Sequence, residues 1–114
     1  MNHLPLGRLR VTGESMIPTL LPGDRVVVVR GLGLLRPGIR VGDLVALTDP
    51  RQPERLMVKR VAAIGGDRVV VRGDNEPAST DSRHFGPVGP AAIRGRVVYR
   101  YFPEDRRGWL RTRW

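Results

Sequence analysis

Short apolar runs alternate with turn-forming residues along the whole chain. Valine-rich stretches at residues 25–30, 42–48, 56–64, 68–72 and 95–102 predict five strands, because β-branched side chains suit a pleated, half-buried surface. Between them stand Pro22-Gly23-Asp24, Pro37-Gly38, Asp49-Pro50, Gly65-Gly66-Asp67 and Gly73-Asp74-Asn75. These combinations make turns: Pro presets φ, Gly accepts positive φ, and Asp or Asn side chains bond nearby backbone. Nowhere does an apolar residue recur every 3.6 positions over three turns. The pattern therefore predicts an all-β or nearly all-β single domain over residues 1–114. One short helical turn is expected over residues 16–21, with Ser15 as N-cap and Pro18 in the first turn, where its missing N–H costs little. Residues 74–90 form the longest predicted loop, and loops of that length in a small domain are often functional.

Composition narrows the chemistry. The 114 residues include no Cys, which removes disulfides, thiolate metal sites and Cys nucleophiles together. Only 5% of residues are aromatic, which weighs against a base-stacking nucleic-acid module. The longest apolar runs, such as Val26 to Val29, are four residues long, against roughly 18 for a bilayer span. Residues 1–5 also lack the charged start and apolar centre of a secretory signal. A soluble, cytoplasmic protein is the resulting expectation. The net charge of +9 suggests an anionic partner, yet the basic residues are 19 Arg and one Lys, spread from Arg8 to Arg113, which equally describes a solvated basic surface. The densest cluster is Arg106, Arg107, Arg111 and Arg113, beside Trp109 and Trp114. This tail, residues 99–114, either meets an acidic partner or folds back on the domain.

Three serines (Ser15, Ser79, Ser82), two histidines (His3, His84) and Lys59 are the groups to weigh. A serine hydroxyl needs a base that can be neutral near pH 7. Arg cannot serve, whereas a desolvated Lys can. Lys59 lies in the apolar run Leu56-Met57-Val58-Lys59, where alternation allows a cleft-facing or a surface position. Ser15 is either a helix cap or a nucleophile beside free backbone N–H groups able to hold an oxyanion. A Ser-His route through His3 or His84 is the competing arrangement. Two His with no metal-binding spacing supply no metal site, and no cofactor is expected.

Several boxes in fixed order carry a resemblance. Ser15-Met16-Ile17-Pro18-Thr19-Leu20 resembles the nucleophile box of the type I signal peptidases, and Arg40-Val41-Gly42-Asp43-Leu44-Val45 their next strand. Val58-Lys59-Arg60-Val61 with Gly66-Asp67 resembles the lysine box. Gly73-Asp74-Asn75 with Ser79 to Val88, and then Ile93-Arg94-Gly95-Arg96-Val97, resemble the closing boxes. The likeness covers residues 11–98. It implies a coiled β-sheet or partial β-barrel catalytic core and a serine endopeptidase. Ser15 would be the nucleophile and Lys59 its general base. Ser79 would orient the lysine amine, Asp81 and Arg83 would stiffen the loop as an ion pair, and Gly73, Asp74 and Asn75 would form its turn.

Two features depart from the family. The 14 residues before Ser15 lead to the expectation that no anchor helix precedes the serine box, and Gly13 stands where several members carry a Ser or Thr oxyanion donor, so backbone N–H groups or water would complete the hole. The missing anchor resembles the maturation proteases of nickel-type superoxide dismutase. The partner expected is therefore a protein precursor with an N-terminal extension, and any nickel would belong to that substrate. Two alternatives compete: a self-cleaving repressor-type Ser-Lys peptidase, and a basic β-module that binds nucleic acid or an acidic protein.

Overall fold

The computed structural model describes residues 6–30 and 38–110. His3 and the tail residues Arg111, Arg113 and Trp114 lie outside them. Seven strands form one sheet: β1 (Leu6–Arg10), β2 (Arg25–Arg30), β3 (Leu44–Asp49), β4 (Gln52–Gly65), β5 (Arg68–Arg72), β6 (Ile93–Phe102) and β7 (Gly108–Trp109). Their order is β1-β2-β6-β3-β4-β5, with β7 also on β6, and every pairing is antiparallel. The all-β expectation holds, and strands 25–30 and 68–72 fall where the valine runs place them.

A core packs on each face, because side chains of successive strand residues point to opposite sides. One holds Val11, Met16, Leu20, Val26, Val28, Leu44, Ala46, Val58 and Val97. The other holds Ile39, Val45, Leu47, Met57, Val61, Val69, Val71 and Val88. The central strand β3 alternates between the two, which explains its unbroken apolar run Leu44-Val45-Ala46-Leu47.

The structure departs from the sequence reading in four places. Strand β1 carries Arg8 and Arg10 on its exposed positions and so hid from a search for valine runs. Strand β4 starts four residues early, as an exposed arm whose residues 52–56 leave the core. Residues 13–20 are linked turns rather than a helix. Only Leu20 N–H to the Met16 carbonyl (2.9 Å) has helical spacing, since Pro18 lacks an N–H and steers Ile17 away from helical dihedrals. The α-helical turn among the described residues is instead α1 (Ser82–Phe85), inside the long loop, where the Asp81 side chain accepts from the Arg83 N–H and His84 Nδ1 from the Asp81 N–H.

The described part of the basic tail folds back. Strand β7 lies on β6, Trp109 meets Tyr99 edge to face, and Arg106 reaches the buried Asp24 carboxylate.

Candidate active site

The serine turn is pinned from both ends. Val11 donates to the Asp24 carbonyl (2.7 Å) and Gly23 to the Val11 carbonyl (2.8 Å), while Met16 and Leu20 are buried in the first core. Between these anchors residues 12–14 are exposed and Ser15 is half-buried. It lies at a cleft walled by residues 9–12 on one side and 55–59 on the other, so Ser15 and Lys59 line the same cleft. The Ser15 N–H has no acceptor among the described residues. Gly13 adopts φ +77°, a conformation that side chains with a Cβ rarely take, although open space surrounds it.

Lys59 stands on β4 opposite Val45, with only 4% of its surface exposed. Its Nζ donates to Ser79 Oγ at 3.2 Å, and that hydroxyl donates onward to Asp81 Oδ2 at 2.8 Å. Burial pushes the ammonium down to about 8; Asp81 opposes the shift, and Arg55 and Arg83 add to it. The Asp81 carboxyl is raised by burial, but bonds from Arg83 Nε (2.9 Å), the Gly73 N–H (2.9 Å) and Ser79 outweigh this. They hold it well below the usual carboxylate range. Asp81 thus stays ionised and fully bonded, and Ser79 is left presenting its lone pairs to Lys59.

The turn after β5 locks this group onto the serine turn. Asn75 clamps it twice, its N–H to the Ser15 carbonyl (2.8 Å) and its Nδ2 to the Glu14 carbonyl (3.0 Å). Gly73 is required for space. A Cβ there would sit 2.2 Å from Ser79 Oγ and 2.8 Å from the Ser15 carbonyl oxygen. Asp74 accepts from Thr19 Oγ1 (2.5 Å) and, through both oxygens, from Arg60 Nε (2.9 Å) and Nη2 (2.8 Å). Arg60 has no exposed surface and gives Nη1 to the Gly42 carbonyl at 2.8 Å. Sequence reasoning missed the roles of Arg60 and Thr19, although both lie inside the quoted boxes. Charged residues beside the lysine and serine were the available signal.

Ser82 and His84, weighed from sequence as reactive groups, serve the loop: Ser82 Oγ accepts from the Val71 N–H (2.9 Å) and His84 completes the α1 cap. Among the described residues no three His, Asp or Glu side chains gather as a metal site. Arg60, Arg83, Arg100 and Arg106 turn inward to carboxylates instead of forming an outward patch.

A family profile described as "Signal peptidase, peptidase S26" matches residues 3–75. Among relatives, the Mitochondrial ATP-independent inner membrane protease subunit 1a of Arabidopsis thaliana is 37% identical over 89% of this chain and 73% of its own length. Mitochondrial inner membrane protease subunit 1 of Homo sapiens is 31% identical, covering 93% of this chain and 75% of its own. Subunit 2 of Mus musculus is 32% identical, covering 90% and 69%. These names overturn the cytoplasmic expectation, which rested on the missing apolar span. Among the described residues no helix is long and apolar enough to cross a membrane, a statement about helices and not about location. The names support a protease and add nothing for a superoxide dismutase subgroup.

Proposed function

Because the chain belongs to the signal peptidase S26 family, a family of serine peptidases, we propose that it removes an N-terminal extension from a protein precursor through a Ser15-Lys59 dyad. The observation that carries this reading is the buried Lys59 amine. It shares a cleft with the half-buried Ser15, and its one hydrogen-bond partner among the described residues is a hydroxyl, not a carboxylate. An amine with a pKa near 8 is neutral in a useful fraction of molecules at physiological pH.

In the proposed reaction, Lys59 Nζ takes the Ser15 Oγ proton as Oγ bonds to the scissile carbonyl carbon. The resulting oxyanion is held by backbone N–H groups, that of Ser15 foremost. Collapse breaks the C–N bond, the departing amine takes the proton from Nζ, and an acyl-serine remains. Neutral Nζ then takes a proton from a water as that water bonds to the acyl carbon, and collapse breaks the C–Oγ bond while Nζ returns the proton to Ser15 Oγ and the acid leaves. Ser79 keeps the amine rotor fixed so that its lone pair faces the cleft. The substrate lies extended alongside β1, the edge strand of the sheet among the described residues. The relatives' names favour precursors presented at a membrane surface. The precursor of nickel-type superoxide dismutase is a substrate to try on subgroup resemblance alone.

The test is peptide-library profiling. The full chain and its Ser15→Ala variant are incubated with peptides from a digested proteome, and new N-termini are tagged and sequenced. Termini that appear only with the wild type support the reading; identical products from both discard it.

A further inference from the structure

The cleft that holds Ser15 and Lys59 continues past Leu9 and Leu56. These two residues also line a second groove of about 370 Å³, roomier than the roughly 50 Å³ of the first. Its floor includes Val28 and Ala46, side chains of the first core, so it is apolar. Its rim is cationic. Arg8 comes from β1, Arg30 from the end of β2 and Arg94 from the start of β6, against the single carboxylate of Glu54 on the projecting arm of β4. Arg30 is fixed over β1, giving Nη2 to the Leu6 carbonyl at 3.3 Å and lying close above Gly7. Arg8 and Arg94 are exposed and make no ion pair among the described residues. The first cleft adds Arg10 on its β1 wall and Arg55, which also pairs with Asp49, on its β4 wall. A trench lined this heavily by one sign of charge concentrates ligands of the other.

The register sets the distance. Thr12 borders the cleft beside Ser15, and Gly7 pairs with Val28 on the groove floor. An extended peptide advancing about 3.3 Å per residue beside β1 therefore reaches the groove about four to seven residues from the bond under attack. We propose that this groove is a subsite for acidic side chains of the precursor, selecting substrates by Asp or Glu at that distance from the cut. The proposal rests on the peptidase reading above.

The library experiment tests it when the cut sites are scored for composition. Asp and Glu should be enriched about three- to fivefold at those positions on one side of the cut, the range set by one or two partly exposed charge pairs. Repeating the wild-type digest at about 1 M salt, where screening shortens to about 3 Å, should erase the enrichment. The Arg8→Glu/Arg94→Glu double variant, checked by thermal melting to be folded, should prefer Lys or Arg there. Ser15-dependent cutting with no acidic preference, or a preference unchanged in the double variant, overturns the subsite and leaves the peptidase intact. Cutting that does not depend on Ser15 overturns the peptidase reading and the subsite with it.

Discussion

Lys59 and Arg60 are consecutive on one strand, both almost wholly buried, and they point to opposite faces of the sheet. Arg60 meets the Asp74 carboxylate through two nitrogens and the Gly42 carbonyl through a third, so its charge is matched. Lys59 meets one hydroxyl, while the nearest carboxylate, Asp81, already accepts from Arg83, Gly73 and Ser79. Burial alone does not make a cation reactive. A buried cation with its carboxylate becomes a brace, and one with only a hydroxyl gives up its proton.

The largest expected effect removes the reactive side of this contrast. Ser15→Ala, Lys59→Met and Lys59→Arg should each lower library cleavage by about 10³-fold or more, with the Ser15→Ala/Lys59→Met double variant no worse than either single. Substantial turnover in Lys59→Arg would mean that positive charge, not a neutral amine, is what the site needs.

Arg60→Met attacks the brace. It takes both Arg60 bonds from the Asp74 carboxylate, 7% exposed, and should cost about 3–5 kcal/mol in chemical denaturation. Loss below 1 kcal/mol would show that Thr19 and water satisfy Asp74 unaided. Ser79→Ala strips Lys59 of its acceptor and leaves the strand intact. It should lower kcat about 10²-fold with KM nearly unchanged, and a KM effect of the same size would assign Ser79 to substrate binding instead.

The pH dependence sharpens the contrast from within. The folded-state Lys59 value near 8 lies below its ordinary 10.5, so the neutral form is favoured by folding. Cleavage should rise about tenfold from pH 7 to 9 and level off above. In the same sense, the folded state binds fewer protons between about 8 and 10.5. The stability penalty from Lys59 is therefore largest below pH 8 and relieved as pH rises through that window. Lys59→Met should abolish that increment of stability, and a wild-type increment that persists in the variant would belong to another group.

The smallest effect is at Gly13. With φ at +77°, Gly13→Ser should lose about 1 kcal/mol in melting experiments, and the strained backbone should keep the new hydroxyl from raising kcat. A variant as stable as wild type and faster would show that the turn can relax to place a side-chain donor.

Much of this was present in the one-dimensional chain. Valine runs and Gly-Pro turns identify β2 and β5 to the residue, because β-branched packing and turn chemistry are local properties. Ser15 and Lys59 stand out since one is the box serine and the other the single lysine among nineteen arginines. Strand β1 was illegible: an edge strand with arginines outward has no local signature. The expected helix after Ser15 failed because capping residues promise a helix only where the following dihedrals permit one, and Pro18 forbids it. Which basic residue would be braced and which left with a hydroxyl was decided in three dimensions. Gly73, Asp74 and Asn75 come within reach of Ser15, Arg60 and Thr19 only when β5 returns beside β4, and Asp81, the loop carboxylate that acts most on Lys59, is claimed by Arg83 before Lys59 can use it. Charge compensation depends on which donors arrive around a carboxylate, and that count exists only after distant segments meet.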